Sequence, residues 1–274
     1  HAHKRFLDVH AHVFHEDFKG DEELIVEKCQ TAGLQYIVVN GLEPHSNREV
    51  LALSERHCSL YLPAIGIYPL DAACNVITNW PHEFPQVPAV FDVDAEIAFI
   101  DAMAAERRVV AIGECGLDKF YLTDDISMAE QERVLRKLMQ VAKKHDLPII
   151  LHSRKAEART FELLQEEGVV KADFHCFCGK AKLAQKITEA GYYLSIPSVV
   201  ERNAGFQQLV SKLPMNRLLT ETDSPYQGPD RGERNDPSTV PRGVVAMATV
   251  RHTAPHTAPI KQAHPLSAEF DIPL

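Results

Sequence analysis

Strand–helix alternation along nearly the whole chain predicts an α/β fold, a single-domain TIM-like (β/α)8 barrel. Three observations carry that expectation. Eight short apolar runs are separated by helical patterns, the order that builds a parallel sheet with helices packed on it. The length, 274 residues, suits one barrel of about 250 residues. Five of the runs also end on residues that ligate metals: His10 and His12 after Phe6-Leu-Asp-Val, Glu114 after Val109-Val-Ala-Ile-Gly, His152 after Pro148-Ile-Ile-Leu, His175 after Ala172-Asp-Phe, and Asp223 after Leu218-Leu-Thr-Glu-Thr. Parallel barrel strands all point at one mouth, and their C-terminal ends carry the catalytic groups.

The elements follow in order. A first strand at 6–10 leads to a helical pattern at 21–33, and strands at 36–40 and 60–66 flank a helix at 47–57. Residues 69–92 then break the rhythm with Pro69, Pro81, Pro85, Pro88 and the single tryptophan, Trp80. A connection of that length after a barrel strand lies on the catalytic face, where it either shapes access or is a neutral insertion. A helix at 94–106 precedes the fourth strand, 109–114. The clearest helix spans 128–145: Ser127 and Glu130 fit a capping box, and Val134, Leu135, Leu138, Val141 and Ala142 form one apolar stripe. Lys143, Lys144 and His145 favour its C-terminal dipole. Strands at 148–152, 172–175, 192–196 and 218–223 alternate with helices at 154–167, 180–190 and 203–212, and a last helix is expected near 240–251. The tail, 252–274, has Pro255, Pro259, Pro265 and Pro273 and no helical period, so an irregular surface segment is expected. Residues 1–5 begin without methionine and read as a tag remnant or trimmed end.

Apolar content of 45% and charged content of 24% are ordinary for a globular protein. No apolar run approaches the roughly 20 residues of a membrane span, and no secretion signal opens the chain. A cytoplasmic protein is expected, or a nuclear one in a eukaryote, with no membrane partner. The net charge of −9 excludes a broad electrostatic embrace of nucleic acid. It does not exclude phosphate chemistry at a local centre, since two divalent cations bring more positive charge than Glu114, Asp223 and one hydroxide cancel. The six cysteines, at 29, 58, 74, 115, 176 and 178, make no Cys-x-x-Cys pair and are expected to be free thiols. Cys176 and Cys178, beside His175, form a second candidate pair for zinc.

Asp8, His10 and His12 are two apart, so an extended strand places them on one face. Two imidazoles could there grip one metal, with Asp8 supporting one of them from behind. Glu114 is the natural bridge, because a carboxylate offers one oxygen to each of two cations; the rival role is an ion pair with an arginine. His152 and His175 would complete a second metal site. Arg154 shares the face of His152, and a guanidinium suits a phosphate or carboxylate substrate, unless it makes a surface ion pair at a helix start. Asp223 can ligate a metal and take a proton from an attacking water. Glu221 shares its parity and serves as an alternative structural partner. Asp118 and Tyr121 either orient substrate or cap their loop. His3, His15, His45, His57, His82, His145, His252, His256 and His264 are expected to be solvated.

The chain resembles the TatD family of metal-dependent deoxyribonucleases, among the amidohydrolase-like barrels. The pieces that carry the resemblance are Asp8-x-His-x-His12, Ala64-Ile-Gly-Ile-Tyr-Pro69, Ile112-Gly-Glu-Cys-Gly-Leu-Asp118, Leu151-His-Ser-Arg154, Phe174-His-Cys-Phe-Cys-Gly179 and Glu221-Thr-Asp-Ser-Pro-Tyr226, in family order over residues 6 to 240. The resemblance implies two divalent metal ions (Mg, Zn or Mn) and hydrolysis of DNA phosphodiester bonds, as a 3′-5′ exonuclease with activity at abasic sites. By position, His10, His12, Glu114 and Asp223 would hold one metal and Glu114, His152 and His175 the other, with Arg154 on the phosphate. Two positions depart: Tyr68 stands where the family usually has histidine, and Cys178 where it has serine or threonine. The expected chemistry is attack by a metal-activated water on phosphorus, with Asp223 taking the proton, Arg154 and the metals stabilising charge, and binding mainly to one DNA strand end and its phosphates. The alternatives are an amidohydrolase or lactonase using the same cage, since a barrel does not decide its chemistry, and a scaffold that has lost turnover.

Overall fold

The computed structural model describes residues 6–80 and 86–251. The expected tail at 252–274, the expected tag at 1–5 and residues 81–85 of the long connection lie outside the described residues, as do His3, His82, His252, His256 and His264. Eight strands form one sheet in the order β1 to β8: Phe6–Ala11, Leu34–Asn40, Tyr61–Ile65, Ala111–Asp118, Ile149–Arg154, Ala172–His175, Tyr193–Pro197 and Leu218–Glu221. Every ladder is parallel. Sequential order with parallel pairing leaves the right-handed strand–helix–strand crossover as the repeating unit, and eight such units close into a barrel.

The seam between the last and first strands is held by a few specific bonds. The Asp223 amide donates to the His10 carbonyl at 2.8 Å, and the His12 amide donates to the Ser224 carbonyl at 2.9 Å. The buried Asp8 carboxylate accepts from the His10 amide at 3.0 Å, from the Thr222 amide at 3.1 Å and from the Thr222 hydroxyl. The expectation from its parity, that Asp8 supports an imidazole ring from behind, is therefore corrected; its oxygens are spent on the β1 backbone and on joining β1 to Thr222 after β8.

Helices cover the outside: α1 Glu22–Thr31, α2 Pro44–Arg56, α3 Pro69–Ala72, α4 Val93–Ala105, α5 Asp125–Lys144, α6 Glu157–Glu166, α7 Ala181–Glu189, α8 Ala204–Lys212 and α9 Val240–Val250. The main apolar core lies between them and the sheet, where Leu34, Ile37, Ile112, Leu138, Leu163 and Phe174 are fully enclosed. A smaller cluster of Leu7, Val9, Val38, Ala64, Ala111, Ile150, Tyr193 and Leu219 contains no helix residue. It fills the side of the sheet turned away from the helices. No helix among the described residues is long and apolar enough to cross a membrane.

Four local expectations are corrected. The cap of α5 is Asp124, whose side chain accepts from the Ser127 amide at 2.9 Å; Ser127 is buried inside the first turn, so no capping box starts there. The connection after β3 contains the short helix α3, and Leu70, Ala73 and Leu122 pack there with Tyr68, Trp80 and Tyr121. Strand β4 runs on past Glu114 to Asp118, because Gly116 adopts φ +146° and lets the chain stay paired with His152. Strand β8 stops at Glu221, and Asp223 sits beyond it in a left-handed conformation, φ +56°.

Candidate metal centre

Five strands and the residues just past them deliver six side chains to one place. His10 Nε2 lies 3.1 Å from His12 Nε2, 3.1 Å from Glu114 Oε1 and 3.6 Å from Asp223 Oδ1. His12 Nε2 lies 3.3 Å from Glu114 Oε1 and 3.5 Å from Asp223 Oδ1. On the other side, Glu114 Oε2 is 3.0 Å from His175 Nε2 and 3.2 Å from His152 Nδ1. Glu114 thus divides its two oxygens between two histidine pairs. It can do so because the β4–β5 register slips between Ile112 and Cys115, and such a bulge re-aims one side chain.

The outer nitrogens of three imidazoles are tied to acceptors. His12 Nδ1 donates to the Asn40 carbonyl at 2.8 Å, His152 Nε2 to Asp118 Oδ2 at 2.8 Å, and His175 Nδ1 to Glu221 Oε1 at 3.4 Å. In the neutral tautomer each then turns a lone pair inward, the arrangement that prepares an imidazole for a metal. His10 is held differently: its ring stacks on His175 at 3.6 Å, and its Nδ1 is buried without a partner among the described residues. Two groups of mutually close donor atoms result, His10–Glu114–His175 and His10–His12–Asp223, each within 4.8 Å. Lone pairs of neutral imidazoles and carboxylates converging at this spacing repel one another unless a cation or protons lie between them. The donor set therefore fits divalent cations.

The electrostatics state the same strain. Burial alone would raise the Glu114 carboxyl, but His175 and His10 hold it well below its usual range. Burial opposes protonation of His12, yet its bonds to Asp223 and Glu114 push it up to about 10. Burial, with the neighbouring His175, pushes His10 down to about 4.

Around the centre, Arg154 is the last residue of β5. Its guanidinium lies 3.6 Å over the Phe120 ring and 3.5 Å from the Tyr121 hydroxyl, and among the described residues it meets no carboxylate. The surface ion pair weighed for it is absent there. Asp118 accepts from the Phe120 amide at 2.9 Å and the Tyr121 amide at 3.2 Å while also holding His152, so it both caps the loop and orients a ring. Tyr68 meets His152 edge-on at 4.9 Å. Glu221 is a structural partner: it holds His175, the Cys176 amide and the Ser195 hydroxyl.

Asn40, donated to by His12, carries no pattern that would have marked it in the sequence. Two histidines expected to be solvated are not. His57 pairs with Glu22 at 2.8 Å and His145 with Asp101 at 2.6 Å, both largely buried on the outer surface. All six cysteines are free, and neither Cys176 nor Cys178 joins a candidate metal group among the described residues.

A family model described as TatD-related DNase matches residues 7–260. The deoxyribonuclease TATDN3 of Homo sapiens is 33% identical, over 89% of this chain and 87% of that protein. The 3′-5′ ssDNA/RNA exonuclease TatD of Salmonella typhimurium is 29% identical, over 91% of this chain and 92% of that protein. The crystal structure of YJJV, a TatD homolog from Escherichia coli, superposes with a TM-score of 0.84 at 26% identity, covering 98% of this chain and 99% of that one.

Proposed function

The chain belongs to the TatD-related DNase family, and on that premise we propose that it is a divalent-metal-dependent deoxyribonuclease acting on DNA strand ends in the 3′-5′ direction. His10, His12, Glu114 and Asp223 would hold one cation, and Glu114, His152 and His175 the other. Histidine-rich ligation suits Zn or Mn, and the three carboxylate oxygens leave Mg within reach. Bound there, such cations supply Lewis-acid polarisation of a phosphoryl oxygen and a lowered water pKa.

The remaining work belongs to the protein's own atoms. Asp223 stands at the edge of the centre, its side chain 14% exposed where Glu114 is 4% exposed, so it is the carboxylate that can accept the proton of an incoming water. Arg154 carries a charge that no described carboxylate neutralises. Its planar fork fits two phosphoryl oxygens, and Phe120 and Tyr121 hold it in place. Glu221, Asp118 and the Asn40 carbonyl fix the ring orientations.

The observation that carries this reading is the division of Glu114 between two histidine pairs. The names of the relatives, a deoxyribonuclease and an ssDNA/RNA exonuclease, support a nucleic-acid substrate for it. The test is metal analysis with digestion of a 3′-labelled oligonucleotide. Two metal equivalents per chain, cleavage lost in chelator and cleavage restored by a divalent cation are expected. Glu114→Gln should lower cleavage by about 1000-fold or more while leaving the circular dichroism unchanged. Undiminished cleavage by that variant, or turnover of amides and lactones with none of DNA, would sink the reading.

A further inference from the structure

Among the described phenylalanine, tyrosine and tryptophan side chains only two are exposed, Phe120 at 44% and Tyr226 at 55%. Both border the metal centre, and they do so from opposite walls. Phe120 follows β4 and lies under Arg154, the last residue of β5. Tyr226 follows β8, three residues after Asp223, and its amide donates to the Asp223 carbonyl at 2.8 Å. In a barrel whose strands run in sequential order, the β4–β5 pair and the β8–β1 seam face each other across the mouth.

Neither ring is left loose. The Tyr226 hydroxyl meets His15 Nε2 at 3.2 Å, and His15 Nδ1 accepts from the Asp17 amide at 3.1 Å, so the imidazole turns Nε2–H toward the tyrosine. The Phe120 amide is fixed by Asp118, the residue that also orients His152. Exposed rings cost hydration, and every other described phenylalanine, tyrosine and tryptophan is buried or half-buried, so these two stand in water on either side of one centre.

We propose that Phe120 and Tyr226 are stacking platforms for the bases on either side of the scissile phosphate, so that ring faces grip the strand without regard to sequence. This rests on the nuclease reading. Aromatic faces accept any base, and they need that base free of a partner strand. Arg154, sandwiched between Phe120 and the substrate, then serves phosphate and base together, since a guanidinium plane stacks as well as it donates. The chain's acidity is no obstacle, because stacking replaces the basic groove it lacks.

The experiment compares a labelled single-stranded oligonucleotide with a strand of equal length whose nucleotides carry tetrahydrofuran in place of bases. Binding is read by fluorescence anisotropy in chelator, where hydrolysis does not run, and turnover after divalent metal is restored. The parent protein should prefer the base-bearing strand, and Tyr226→Ala should lower that preference about ten-fold. Tyr226→Phe, which keeps the ring, should retain it. Equal binding of the two strands by the parent, or a preference unchanged in Tyr226→Ala, would overturn the proposal. Retained base preference with no hydrolysis of either strand would count against the nuclease reading alone.

Discussion

At the scale of single residues, the centre is a collection of groups moved from their ordinary protonation by burial and by one another. One such group lies just outside it. Burial, reinforced by the negative charges of Glu43 and Glu114, raises the Asp71 carboxyl from 3.8 to about 8. Between those values the native chain holds a proton that the unfolded chain has released, so stability falls as pH rises through that window. Asp71→Asn cannot ionise and should remove that slope. Its melting temperature is expected to exceed the parent's near pH 9, with little advantage near pH 5. Thermal melts at the two pH values decide it, and an equal difference at both would refute the assignment.

At the scale of elements, Gly116 shows what a strand must do to carry the centre. A Cβ there would stand 1.8 Å from the His152 carbonyl oxygen, and φ is +146°. Gly116→Ala should therefore part β4 from β5 and cost about 3 kcal/mol or more, visible as a lowered denaturant midpoint or insoluble protein; an unchanged midpoint would show that the strands can separate locally at no cost. Strand identity was legible because eight apolar runs are short, separate and followed by helical periods. His10 and His12 were legible together because a period of two puts them on one side. Other parts were not. The slip that aims Glu114 at both histidine pairs is a register property and leaves no mark on residue type. Asp223 looked like a strand end but lies in a left-handed turn past β8. The true cap of α5, Asp124, was hidden by Ser127, which has the same chemistry three residues later.

At the scale of the whole molecule, the barrel is closed by few bonds, and Asp8 accepts two of them, both from Thr222. Asp8→Ala would orphan the amides of His10 and Thr222 and the Thr222 hydroxyl, an expected loss of about 2–4 kcal/mol. Chemical denaturation measures it, and a loss below about 1 kcal/mol would mean that water replaces the carboxylate freely. The same seam brings Asp223 beside His10 and His12, residues some two hundred positions apart in the chain. A polypeptide still emerging from the ribosome owns the first histidines long before it owns their carboxylate partner. On the proposed reading, an unfinished or truncated copy would lack a working blade, and a cell would meet this cutter only once the last strand is home.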